Sequence, residues 1–370
     1  MSNVIQLNLP SRRQRRAVRH AALLENFARN RRYGDDVFWL KENAELLNIL
    51  ECTGTALEPE ALESHAGFYG NVEKRMGFFP QYYRFLLSIC LDLEDLGLAQ
   101  GAEGKGEYLA RWVADQGLVD AELSDLQRGE GRRLMQRRGV SPRTDDAGLD
   151  DRLRAFVARS QTFAMPNKKA AYELTHIVFY LSEYGRKDPL LSNGTKESLI
   201  FAGTLSYLER NADLLSEVCV AMTYAGYNPP AKWVDWLSGV TSGFKVAQGD
   251  KAVKQDDYHE YLVCNWAVAT AAGGEAFVHP VVADSISFHR MDDRAAPLRE
   301  MSECMFRLDD RRSSDWGLMR PYLLETLSET SRDILLEAEA ACDDFDAFFA
   351  GFARTGLNAG LPLRPTGSAG

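Results

Sequence analysis

No apolar run in this sequence reaches the ~18–20 residues that a membrane-spanning helix needs, so no span is expected. Cysteine is scarce and scattered: Cys52, Cys90, Cys219, Cys264, Cys304 and Cys342, with no Cys-x-x-Cys pair. That spacing excludes a thiolate zinc motif and predicts reduced thiols packed as small apolar groups, which places the chain in the cytoplasm. Gly-x-Ser-x-Gly, His-Glu-x-x-His and the Walker loop are also missing. Serine hydrolase, zinc peptidase and P-loop nucleotidase are therefore disfavoured. Nor is there an excess of positive charge. Forty-three basic residues face 53 acidic ones, for a net charge of −10. Phosphate backbones are bound by basic surfaces, so a general nucleic-acid role is opposed, except through a local patch.

Such a patch exists at the start. Arg12, Arg13, Arg15 and Arg16 cluster in MSNVIQLNLPSRRQRR, which has no apolar core behind its charges and so does not read as a secretory signal. Its composition resembles a transit peptide, but a short basic arm over residues 1–16 is the simpler reading. At the other end, residues 356–370 are rich in Gly, Pro and Ser and read as a mobile tail.

Between these ends helical period dominates. Apolar content is 45%, enough for a sizeable core. Positions such as Leu40, Leu46, Leu47 and Leu50 recur at spacings of three and four. Asp35 and Asp36 suit the first turn of a helix, and Asn167, Thr195 and Asn211 suit N-caps. Helices are predicted near 149–163, 167–185, 195–210, 212–225, 230–243 and 252–272, and again to residue 353 with a break near Glu329–Ser331. AFV and SISFH, within 275–294, are the segments that could form short strands. The loop Gly139–Gly148 is a candidate sub-boundary within one helical domain over 17–355. The expected class is all-α: a globular array of antiparallel helix pairs, which could close as an α/α toroid.

Three central helices carry polar stripes. In NKKAAYELTHIVFYLSEYG, at about 100° per residue, Glu173, His176, Tyr180 and Glu183 fall within roughly 80° of arc. In NADLLSEVCVAMTY, Asp213, Glu217 and Tyr224 share a side. In DDYHEYLVCNWAVAT, Asp256, His259, Trp266 and Thr270 do so. Glu173–His176 and Asp256–His259 are both acid-x-x-His pairs. Residues at i and i+3 share a helix face, so a carboxylate and an imidazole can reach one point. Ferritin-like di-iron bundles use Glu-x-x-His on two helices with further carboxylates from two others. Glu173, His176, Glu217, Asp256 and His259 are thus candidate ligands of iron or another divalent metal. The other reading of each pair is an acid that holds a histidine within a helical core. A metal-free acid–base site would use His176, His259 and Tyr180.

At ELTHIVFYLSEYG and DYHEYLVCNWA the chain resembles uncharacterised bacterial proteins of the domain-of-unknown-function kind, which are similar to helical toroids. The resemblance covers mainly residues 165–272. It implies that Glu173, His176, Asp256 and His259 point inward, and it implies no activity. Neither the Asp-rich repeat of terpene cyclases nor the Cys-Cys-His set of lanthionine cyclases is found.

Three functions follow. The first is binding of a small molecule or a protein partner in a central cavity. The second is a metal-dependent, di-iron-like oxidoreductase built on the two acid-x-x-His helices. The third is a helical interaction protein whose basic arm meets an acidic partner.

Overall fold

The computed structural model describes residues 12–32, 36–99, 103–249, 255–291 and 295–354. Seventeen α-helices and one two-stranded sheet occur among them. The class is all-α, as the periodicity predicts. The first six helices are α1 (Arg12–Glu25), α2 (Val37–Cys52), α3 (Ala66–Phe78), α4 (Tyr83–Asp95), α5 (Gly106–Asp115) and α6 (Asp125–Gln136). The middle seven are α7 (Leu149–Val157), α8 (Ser160–Phe163), α9 (Lys168–Leu181), α10 (Asn193–Glu209), α11 (Ala212–Tyr224), α12 (Ala231–Gly243) and α13 (Tyr258–Thr270). The last four are α14 (Pro297–Leu308), α15 (Trp316–Thr326), α16 (Glu329–Ala341) and α17 (Phe345–Ala353). Strands β1 (Lys245–Gln248) and β2 (Ile286–His289) pair antiparallel, with Val246 opposite Phe288. No helix among the described residues is long and apolar enough to cross a membrane, and all six cysteines are free thiols.

The centre of the array is α11. Leu214, Leu215, Val218, Cys219, Val220, Ala221 and Met222 are all buried, so the helix is wrapped on nearly every side. It packs against α9, α10, α12 and α13, and α13 packs in turn on α2. Each buried leucine contributes about 1.5–3 kcal/mol of transfer energy, which fixes α11 as a core element. Asn211 caps its start by accepting from the Leu214 amide at 3.1 Å. Gly226, at φ +77°, closes its end, where the Tyr227 amide reaches back to the Met222 carbonyl at 2.8 Å.

Asp36 and Asn167 also cap their helices, accepting from Trp39 at 2.8 Å and Ala170 at 3.2 Å. Thr195 does not: it lies buried inside α10, which begins at Asn193 after Ser192. The segment expected to be one helix over 149–163 is two, and the one expected over 167–185 ends at Leu181. Glu183 therefore leaves the polar stripe. It sits at φ +49° and pairs with Arg133 at 3.0 Å. SISFH does contain a strand, but AFV does not, and its partner strand KVAQ carried no signal of its own. Residues 1–11 of the expected arm, and the tail 356–370, lie outside the described residues; Arg12–Arg16 open α1 as helix.

One buried ion cluster ties the N-terminal helices to this centre. Arg31 donates to Glu42 at 2.9 Å and, through both terminal nitrogens, to Asp256 at 2.8 and 3.0 Å. It also donates to the Ile286 carbonyl at 2.9 Å. Its guanidinium lies 5.0–5.3 Å from the ring centres of Phe27, Tyr258 and Phe288. Asp256 additionally accepts from the Phe288 amide at 2.8 Å, so the start of α13 is clamped to β2.

Two stability changes test this packing. Arg31→Ala strands the buried Asp256 carboxylate and should cost about 3–5 kcal/mol in urea denaturation. Gly203 touches the fully buried Trp233 ring so closely that an added Cβ would overlap it. Gly203→Ala should therefore destabilise by about 1–3 kcal/mol; an unchanged urea midpoint would contradict the packing described.

Candidate metal centre

Asp213 and Glu217 stand one turn apart on α11, and His259 stands in the first turn of α13. One ligating atom from each can be chosen so that all lie within 4.8 Å of one another. His259 Nε2 is 3.2 Å from Asp213 Oδ1 and 4.0 Å from Glu217 Oε1. Glu217 is only 3% exposed, while His259 is 31% exposed, so the cluster has a buried floor and an approachable side.

Each of the three residues has one atom turned toward the common point and another held from behind. His259 Nδ1 meets Glu45 Oε2, from α2, at 3.1 Å, which leaves Nε2 facing the cluster. Asp213 Oδ2 accepts from the Tyr172 hydroxyl at 2.8 Å. Glu217 Oε2 accepts from the Thr175 hydroxyl at 2.6 Å. The forward atom Asp213 Oδ1 is shut off from solvent and receives no aligned hydrogen bond. It lies 3.2 Å from His259 Nε2, as an ion pair.

This arrangement matches how metal ligands are oriented: the far nitrogen of a ligating imidazole donates to a carboxylate, and ligating carboxylates are themselves hydrogen-bonded. Donors about 2.1 Å from one ion and at right angles are ~3.0 Å apart, and opposite donors are ~4.2 Å apart. The 4.8 Å spread is wider than either, so the side chains must close in for all three to reach one ion.

Without a metal, three carboxylates must share one imidazole. The His259 pKa rises from 6.5 to about 11: burial opposes its charge, but hydrogen bonding and attraction to Asp213 and Glu45 outweigh that. Burial tends to raise Asp213, yet its contact with His259 and its bond from Tyr172 bring it below the usual range. Glu217 is pushed up, chiefly by burial. The metal-free cluster is therefore a proton-charged imidazole held between anions.

The residues singled out from the sequence divide. His259 and Glu217 come together, with Asp213 from the same α11 stripe. His176 borders them: its Nδ1 lies 3.7 Å from Glu217 Oε2 but 2.7 Å from the Tyr172 carbonyl, to which it donates. That bond leaves Nε2 as its accepting nitrogen. Tyr180 is buried, with its ring centre 6.1 Å from that of His176. Glu173 and Asp256 do not join. Glu173 faces Lys169 at 3.9 Å, and Asp256 is fully taken up by Arg31 and the Phe288 amide. The acid-x-x-His pairs thus do not act as pairs, because the acids beside the histidines come from other helices. Glu45, Tyr172 and Thr175 were not singled out. Glu45 lies on a helix with no visible polar stripe, and the hydroxyls belong to an otherwise apolar face.

A family model described as "Domain of unknown function (DUF6902)" matches residues 1–355, and the chain belongs to that family. No curated protein and no solved structure matches it.

The pH dependence of stability tests the cluster. A histidine whose folded pKa is raised stabilises fully below its unfolded pKa and loses that contribution as pH climbs through the folded value. In metal-free protein, the stability difference between wild type and His259→Gln should be largest below pH 6.5 and should shrink toward pH 11. A difference that grows with pH in urea titrations would refute the assignment.

Proposed function

We propose that this chain is a metal-dependent oxidoreductase whose centre is Asp213, Glu217 and His259. The observation that supports it most is the complete backing of the three ligands by Tyr172, Thr175 and Glu45, with Asp213 Oδ1 buried and facing His259 Nε2 at 3.2 Å. Two carboxylates and an imidazole, with no thiolate, suit iron, manganese or zinc. Three protein ligands leave coordination positions for a substrate or an oxidant. An oxidisable phenol in contact with a ligand favours the redox metals: Tyr172 donates to Asp213 at 2.8 Å.

His176 has a role beside the ion rather than on it. Its Nδ1–H is tied down by the Tyr172 carbonyl, so Nε2 can take a proton. At 36% exposure it joins the buried Glu217 to solvent. Metal entry displaces the proton on His259, so binding is coupled to proton release.

A binding function in a central cavity has less support. Two clefts lie elsewhere: about 600 Å³ beside Arg128, Arg132, Ser141 and Asp146, and about 560 Å³ beside Ile200, Met222, Lys232 and Leu336. No residue of the metal cluster lines either.

Purified protein reconstituted with Fe(II) or Mn(II) should hold one ion per chain, and affinity should rise with pH. Glu45→Gln, which keeps the three ligands but weakens the support of His259, should cost about 10–100-fold in affinity. The double variant Asp213→Asn, His259→Gln should lose binding altogether. Equal metal uptake by wild type and the double variant would overturn the proposal.

A further inference from the structure

The buried tyrosines differ in where their hydroxyl protons can go. Tyr224 donates to Cys52 Sγ at 3.7 Å, a thiol that burial pushes up to about 12, so its immediate partner is a neutral sulfur. Tyr69 and Tyr207 donate to Glu94 and Glu337, at 2.8 and 2.6 Å, outside the metal cluster. Tyr172 alone among the described tyrosines donates to one of the three cluster ligands, Asp213 Oδ2 at 2.8 Å. Its phenol is half-buried.

We infer that Tyr172 is a redox-active tyrosine that gives one electron to the metal centre and its proton to Asp213. The inference rests on the metal reading above and adds to it a protein-based one-electron store. The reason is chemical. A phenol loses an electron easily only when its proton leaves with it, since an oxidised phenol is a far stronger acid than a carboxylic acid. Tyr172 has a ready acceptor within hydrogen-bond reach, and that acceptor's other oxygen faces the proposed ion.

With a ferrous ion and hydrogen peroxide as oxidant, the step balances. The O–O bond breaks as peroxide takes two electrons, one from the ferrous ion and one from Tyr172. It takes two protons, one from the Tyr172 hydroxyl by way of Asp213 and one from solvent. The products are two waters, a ferric ion and a neutral phenoxyl radical on Tyr172. The backbone carbonyl of the same residue holds His176 Nδ1 at 2.7 Å, so the donor and the acid–base histidine are fixed by one turn of α9.

The test loads full-length protein with Fe(II) under nitrogen, adds hydrogen peroxide, and follows iron content, optical absorption and freeze-quench electron paramagnetic resonance. Wild type and Tyr207→Phe should both show a phenoxyl signal. Tyr172→Phe, loaded with excess Fe(II) and compared per bound iron because the support of Asp213 is weakened, should lose that signal at least tenfold. In the unaltered chain, ring-deuterated tyrosine should narrow the resonance, and a nitroso spin trap should map by mass to the peptide holding Tyr172; this arm stands even if Tyr172→Phe folds poorly. An equal signal in Tyr172→Phe, or a trap adduct elsewhere, overturns the inference while leaving the metal site intact. A ferric–phenolate charge-transfer band that vanishes in Tyr172→Phe would also overturn it, by making Tyr172 a ligand. Failure of wild type to hold iron would remove the metal reading and this inference together.

Discussion

Two carboxylates one turn apart on a core helix cannot both keep their charges without a cation beside them. Asp213 and Glu217 impose that condition on α11, whose other faces are apolar and buried. Withdrawing an ion from water costs several kcal/mol even after the protein relaxes, more than any one buried leucine returns. The surrounding helices are arranged to meet that demand. α13 supplies His259, α9 supplies the hydroxyls of Tyr172 and Thr175, and α2 supplies Glu45 to hold the histidine.

Two clusters that meet on neighbouring residues resolve the same electrostatic problem differently. Around Glu42 and Asp256 the cation is Arg31, always charged, only 2% exposed, and bound through all three of its nitrogens. That cluster is closed and carries nothing exchangeable. Around Asp213 and Glu217 the cation is a proton on an imidazole, held on a side chain 31% exposed. A proton can leave, and an ion of higher charge can take its place. The two clusters are three residues apart on the chain at Asp256 and His259, so the fixed one locates the exchangeable one: Arg31 and β2 grip the residues that begin α13.

How much of this could be read beforehand follows from the range of each interaction. Helix class and most helix bodies were legible because apolar spacing and caps such as Asn167 and Asn211 act within a few residues; Asp36, expected in the first turn, caps it instead. Thr195 misled because a residue with cap chemistry can also be buried inside a helix. The strand KVAQ was invisible because four residues show no period, and its existence depends on Ile286–His289 further along the chain. The three stripes were visible, and α11 was read with its correct face. What failed was the pairing. Acid-x-x-His suggested that each histidine is served by the acid three residues before it. Asp256 is claimed instead by an arginine 225 positions away, and His259 is served by acids 214 residues earlier on α2 and 46 residues earlier on α11. No local rule carries that information.

The position of the cluster along its helices completes the electrostatic argument. Asp213 and His259 occupy the first turns of α11 and α13, and Tyr172 and His176 the second and third turns of α9. Helix N-termini present partial positive charge, which favours carboxylates and disfavours imidazolium by about 0.3–1 kcal/mol each. That field is too small to discharge His259 against two flanking carboxylates, whose attraction raises its pKa to about 11. It does hold the two acids ionised, so their charge stays available to the cation between them. Tyr172 answers the same charge from α9, donating its hydroxyl proton to Asp213 at 2.8 Å.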